Sequence, residues 1–255
     1  MGWTLSLDGR CGIVTGAASG IGRAAARHVA AMGADLLLVD VDGARLEEAV
    51  SEIRAAAPQR RIAAARADAA CEPEVRAAVE RAVSAFGALD FLVNGHGILR
   101  RTAFAGIGPE EWDLVLAVNL RGCFLFCREV IPHLLQRGKG AIVNVASLAG
   151  RTCSILGGAH YTASKHGLVG LSRHLAREYA RQGIRVNAFC PGATLTPMTR
   201  STTTPEELER VAASIPRGRW AEPEEQAWVI GFLLSDAAAN ITGACIDANG
   251  GSLMI

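Results

Sequence analysis

What this chain lacks narrows it before any motif is read. No uninterrupted apolar run reaches the about 18 residues that a membrane-spanning helix needs, although half of the residues are apolar and mean hydropathy is +0.22. The opening MGWTLSLDGR has neither a basic n-region nor an apolar h-region, so no secretory signal is expected and the cytoplasm is the default compartment. Charge of one sign is missing too. With 26 Lys+Arg against 25 Asp+Glu, nothing favours nucleic acid or an anionic membrane as the main partner. The seven cysteines (Cys11, Cys71, Cys123, Cys127, Cys153, Cys190 and Cys245) contain no CxxC and no Cys/His metal spacing. They read as small buried residues in a reducing compartment, and no metal site is expected. GxSxG, HExxH and P-loop signatures are also absent.

What is present is an apolar chain of 255 residues, able to bury enough surface to offset its ordering entropy. Short β-rich runs alternate with helical ones, the pattern of a parallel sheet covered on both faces. Strands are expected at Cys11 to Thr15, Asp35 to Asp40, Arg61 to Ala65, Leu89 to Asn94, Ala141 to Ala146, Ile184 to Cys190 and Ala244 to Asp247. Helices are expected at Ile21 to Met32, Ala44 to Ala56, Glu74 to Phe86, Glu110 to Gln136, Tyr161 to Gln182, Glu206 to Ser214 and Glu224 to Leu234. The fold class is therefore α/β, a doubly wound seven-stranded parallel sheet of Rossmann type. No linker or repeat divides it, so 1–255 reads as one domain. A Thr-rich stretch at about 194–216 breaks the alternation and reads as a mobile substrate-binding loop over a ligand crevice.

The first strand runs into Thr15-Gly16-Ala17-Ala18-Ser19-Gly20-Ile21-Gly22, which opens a helix. Glycines at 16, 20 and 22 permit a tight turn, close approach to a pyrophosphate and close helix–strand packing. The second strand ends at Asp40, where a carboxylate can accept both hydroxyls of an adenosine ribose and would repel a 2′-phosphate. Neither Ser19 nor the adjoining Val41 supplies an offsetting positive charge. NAD is therefore favoured over NADP. Asp42 is the better candidate for capping the following helix.

Tyr161 and Lys165 stand four apart in YTASK, on one helix face. A nearby ammonium favours the phenolate form of a tyrosine. Fourteen residues upstream, the strand GAIVNVAS delivers Ser147 at its C-terminal end, where a doubly wound sheet places its crevice. Asn119, in LVLAVN, read alone is a helix-interior Asn bonding backbone.

These features together identify the sequence as resembling the short-chain dehydrogenase/reductase family over nearly its whole length. The resemblance is carried by TGAASGIG at 15–22, Asp68, Asn94-Gly95-His96-Gly97, Asn119, Ser147, YTASK, PGATLT at 191–196 and the closing ANGG. It implies catalysis by Ser147, Tyr161 and Lys165, with Asn119 holding a water in a proton relay. Tyr161 would exchange the hydroxyl proton, Ser147 would orient the substrate oxygen, and Lys165 would bond the nicotinamide ribose. The resemblance also implies cofactor contacts at Gly16, Ser19, Gly20, Ile21, Gly22, Asp40, Val41, Asp68, Ala69, Asn94, Gly95, Pro191, Gly192, Thr194 and Thr196.

The expected activity is NAD-dependent hydride transfer to or from a secondary alcohol or ketone, a small-molecule partner. A 3-oxoacyl-thioester reductase or a cyclic dihydrodiol dehydrogenase is an alternative within the family, and a non-catalytic NAD sensor or scaffold is one of another class. His96 replaces the family's usual alanine and either touches substrate or only fills space. His160 and His166 fall off the Tyr161/Lys165 face and read as structural. Arg100, Arg101 and Arg151 are candidates for the crevice mouth. Apolar residues on several helix faces (Phe124, Leu125, Phe126; Leu168, Val169, Leu171) suggest a homo-oligomer, as in the family's common tetramers.

Overall fold

A computed structural model describes residues 5–255. Seven strands, β1 (Cys11–Thr15), β2 (Asp35–Asp40), β3 (Ile62–Arg66), β4 (Phe91–Asn94), β5 (Gly140–Val145), β6 (Ile184–Pro191) and β7 (Cys245–Ala248), form one parallel sheet in the order β3-β2-β1-β4-β5-β6-β7. Chain order reverses between β1 and β4, which opens a crevice beyond their C-terminal ends. The register aligns those ends, with Thr15 opposite Asn94 and Asn94 opposite Asn144.

Successive strand side chains point to opposite faces, so the apolar runs build two cores. Val14, Leu36, Leu38, Val93 and Val143 meet α1 (Gly20–Ala31), α2 (Gly43–Ala56) and α9 (Pro223–Leu234). Ile13, Leu37, Leu92 and Ile142 turn the other way, toward α3 (Glu72–Phe86) and α5 (Gly122–Arg137). All four are fully buried, each contributing roughly 1.5–3 kcal/mol. Against this second face also lies α6 (Ala159–Tyr179), extended by a 3₁₀ turn to Gln182. No helix of the described residues is long and apolar enough to cross a membrane.

Most element bounds match the sequence pattern to within two residues, the usual fraying of ends. The expected helix from Glu110 to Gln136 differs, because it is divided into α4 (Pro109–Leu116), a π turn at Ala117–Arg121 and α5. The Thr-rich segment holds the helix expected at Glu206 to Ser214, as α8 (Pro205–Ser214), and adds an unexpected short α7 (Pro197–Arg200); each is started by a capping box, from Thr204 with Glu207 and from Thr196 with Thr199. Val211 and Ile215 pack there with Trp220 and Leu156.

Candidate active site

The C-terminal ends of the strands frame one cleft of about 500 Å³. Its first wall is the turn from β1 to α1. Gly16 has φ of +68°, and a Cβ on Gly22 would lie 2.1 Å from the Gly16 carbonyl oxygen, so neither tolerates a side chain. Ser19 at the N-cap makes no side-chain capping bond, and the first turn of α1 holds no acidic residue. Uncapped N–H groups at a helix N-terminus are what a pyrophosphate requires, so these residues fit a dinucleotide. Asp40 faces the same cleft, its two oxygens accepting the N–H groups of Ala18 (3.0 Å) and Asp42 (3.1 Å). Asp42 caps α2 as expected, accepting from Arg45 N–H. Val41, Asp68, Ala69, Gly95, Pro191, Gly192, Thr194 and Thr196 line the cleft as well.

At the other end α6 presents Tyr161 and Lys165 on one face, opposite Ser147 just past β5. The Lys165 ammonium is buried, donates to the Val145 carbonyl at 2.9 Å, and lies 5.8 Å from the centre of the Tyr161 ring. Ser147 Oγ accepts from Ala149 N–H at 3.1 Å, which leaves its proton free to face the cleft. The Tyr161 phenol oxygen has no hydrogen-bond partner among the described residues. Both reactive hydroxyls are thus available to a ligand.

Asn119 is fully buried in the π turn and does not line the cleft. Its side chain accepts from Ile98 N–H (2.7 Å) and donates to the Ile98 carbonyl (2.9 Å) and to Ser164 Oγ (3.1 Å). Ser164 in turn donates to the Tyr161 carbonyl at 2.7 Å. Asn119 therefore ties the chain after β4 to the helix turn that carries Tyr161. Ser164 was invisible as a partner, because only the fold brings residues 45 apart together.

Asn94, unlike its neighbour Gly95, is not among the residues that line the cleft. Its side chain is fully buried, donating to Asn144 at 2.8 Å, and Asn144 donates to Ser172 at 2.9 Å. It braces β4 against β5 through the side chain of Asn144.

His96 lies 2.6 Å from Thr15 Oγ1 through Nδ1 and 3.6 Å from Cys123 Sγ through Nε2, with the Phe126 ring 5.8 Å away. It lines the cleft without bonding Ser147 or Tyr161. Burial, with the Lys165 charge added, holds its pKa down to about 3, so the ring is neutral. His160 is fully buried, with Nδ1 accepting from Tyr161 N–H (2.9 Å) and Nε2 2.7 Å from Glu111.

The arginine expectations separate. Arg151 is paired with Asp247 at 2.7 Å, while Arg101 holds both carboxylate oxygens of Glu207 and the Thr202 carbonyl. Arg100 alone of the three lines the cleft. The cysteines separate as well. Burial raises Cys190 to about 11 and Cys123 to about 12, whereas Cys153 is exposed on the cleft wall. The pattern gave no notice of Leu156, Met198, Val211 and Trp220, which line the cleft as well.

Comparisons with known proteins agree with this geometry. Residues 16–252 match the family model described as enoyl-(acyl carrier protein) reductase. A 3-oxoacyl-[acyl-carrier-protein] reductase of Thermotoga maritima is 37% identical over 97% of this chain and 99% of its own. A D-threitol dehydrogenase of Mycolicibacterium smegmatis is 39% identical over 96% of this chain and 93% of its own. Among solved structures, a levodione reductase superimposes with a TM-score of 0.93 at 36% identity, covering 96% of this chain and 97% of that one. Fold, cleft and relatives converge: the chain belongs to the short-chain dehydrogenase/reductase family of Rossmann-fold oxidoreductases, whose members use a nicotinamide cofactor.

Proposed function

We propose that the protein is an NAD(H)-dependent oxidoreductase interconverting a secondary alcohol and a ketone, with Tyr161 as general acid/base. The observation that carries this reading is a single cleft with a phosphate-binding turn and Asp40 at one end and Ser147, Tyr161 and Lys165 at the other. The bound cofactor supplies the hydride acceptor or donor, and the chain supplies binding, orientation and proton transfer. Asp40 takes the adenosine ribose hydroxyls, which selects NAD. The turn at 16–22 holds the pyrophosphate, Asp68 and Ala69 border the adenine, and Thr194 and Thr196 meet the carboxamide.

In oxidation, Ser147 Oγ holds the alcohol oxygen while Tyr161 Oη accepts its proton. Reduction reverses the transfer. Lys165, fixed on the Val145 carbonyl, stabilises negative charge developing on the phenol oxygen and bonds the nicotinamide ribose. Asn119 acts through position, keeping the turn beside Lys165 open to a relay water. His96 fits the role of a neutral packing group beneath the cofactor better than that of a substrate contact, because its ring is committed to Thr15 and Cys123. We also read residues 1–255 as one catalytic domain with a lid at 194–216, placed in the cytoplasm, where free thiols persist. Exposed Phe124 on α5 and Trp228 on α9 support a homotetramer.

Turnover of a panel of secondary alcohols and ketones with each cofactor tests the reading. NADH formation with a clear preference for NAD is expected. Equal efficiency with NADP would contradict the role of Asp40, and NAD binding in a calorimeter without turnover of any substrate would favour a sensor instead.

A further inference from the structure

Resting on the reading that Thr194 meets the nicotinamide carboxamide, we infer that Gln226 is a positioning residue for the nicotinamide: from outside the cleft it holds Thr194 so that the Thr194 N–H is presented to the carboxamide oxygen. The inference starts from a side chain that packing does not explain. Gln226, one turn into α9, is 1% exposed, and its Oε1 is buried with no partner among the described residues. An unpaired buried acceptor is unfavourable, and an apolar side chain of similar volume would avoid it. The residue is therefore explained by its two amide N–H groups.

Both of them are committed. Nε2 donates to Thr194 Oγ1 and to the Ala248 carbonyl at the end of β7, each at 3.3 Å. Turning the amide over would set Oε1 against that carbonyl oxygen, so the donor is fixed toward Thr194. Thr194 lines the cleft, whereas Gln226 does not.

Thr194 is itself 4% exposed, and nearly all of its polar groups are spent within the chain. Its hydroxyl accepts from Gln226 and donates to the Gly192 carbonyl at 3.0 Å. Its carbonyl accepts from Thr196 N–H at 3.0 Å and from Thr199 Oγ1 at 2.9 Å. Its N–H is the one group left without a partner among the described residues. The flanking bonds aim that N–H. Ala221 donates to the Ala193 carbonyl and accepts from Leu195 N–H, each at 2.9 Å. In a planar trans peptide the Thr194 N–H then points the opposite way from the Ala193 carbonyl, away from Ala221. The bridge to Ala221 thus sets direction. Depth is set by the side chain, which Gln226 ties to α9 and to the end of β7. Without that tie the threonine has other staggered rotamers open to it, and residue 194 is free to shift against the ligand.

A residue that acts on the nicotinamide alone should leave the adenosine end of the site undisturbed. The test therefore compares NADH with ADP-ribose, which lacks only the nicotinamide, by calorimetry on the parent chain, Gln226→Met, Thr194→Val and the double variant. Methionine keeps the volume and removes both N–H groups. We expect Kd for NADH to rise about 5-fold in Gln226→Met, the loss of one neutral hydrogen bond, with Kd for ADP-ribose unchanged. Because the effect runs through the Thr194 hydroxyl, Gln226→Met should add nothing further in the Thr194→Val background. Thr194→Val, which keeps the shape and removes the hydroxyl, carries the same split between the two ligands if Gln226→Met does not fold. Unchanged NADH affinity in Gln226→Met, an equal loss for NADH and ADP-ribose, or additive losses in the double variant overturns the inference. A parent chain that binds NADH no more tightly than ADP-ribose overturns the placing of the nicotinamide at Thr194 as well, an outcome distinct from a parent and a Gln226→Met variant that favour NADH equally.

Discussion

Asp40 accepts one N–H from the Gly-rich turn and one from the start of α2, so its carboxylate is fixed before any ribose arrives. Two roles therefore share one side chain. Asp40→Ala should weaken NAD binding roughly tenfold, the equivalent of one charge-assisted hydrogen bond, and narrow the NAD/NADP ratio of kcat/KM. Titration with both cofactors checks this, and unchanged NAD affinity would contradict it. His96 makes a second prediction. Its folded pKa, near 3, lies below the unfolded value of about 6.5, so its contribution is fully present above pH 6.5 and is lost as pH falls toward 3. His96→Gln should flatten the stability-versus-pH curve across that window in urea unfolding followed by circular dichroism; an unaltered slope would count against a buried neutral ring. Residue types and spacing made Tyr161, Lys165, Ser147 and Asp40 legible in the sequence. The buried place of the Asn94 side chain was not legible, because the family motif names the residue without saying which way its side chain turns, and the Asn94–Asn144–Ser172 ladder forms only once β4 and β5 pair.

Elements carry the site through their joints. The π turn at Ala117–Arg121 interrupts what the apolar pattern reads as one helix, since a run of helix-compatible residues looks the same whether or not one turn is widened. The segment at 194–216 was legible as an excursion from the strand–helix alternation, and α8 as a helix, but its docking through Val211 and Arg101 depends on contacts distant in sequence. Arg101→Ala should leave NAD binding intact while increasing protease cleavage within 194–216 and raising substrate KM. A variant as resistant as the parent would show that the Glu207 clamp holds nothing. At the N-terminus of α6, His160→Ala removes the acceptor of Tyr161 N–H and the partner of Glu111 from a fully buried place. A loss of about 1–3 kcal/mol in unfolding free energy is expected, and a neutral effect would contradict the bonding described.

At the scale of the molecule, the apolar excess of the composition divides between two sheet faces and the outside. Leu125, Phe126, Leu168 and Val169 are buried within the chain, so the sequence overstated the free apolar surface, whereas Phe124 and Trp228 remain exposed on separate helices. Phe124→Glu and Trp228→Glu should each yield a smaller species by light scattering, and a parent chain that is already monomeric would remove the tetramer from the account. The central claim is that one cleft binds a nicotinamide dinucleotide at one end and moves a proton at the other. Tyr161→Phe separates the two most directly, by measuring NADH affinity and alcohol turnover on the same preparation. The account predicts unchanged NADH affinity with kcat lowered about 100- to 10,000-fold. Wild-type turnover in Tyr161→Phe would contradict it.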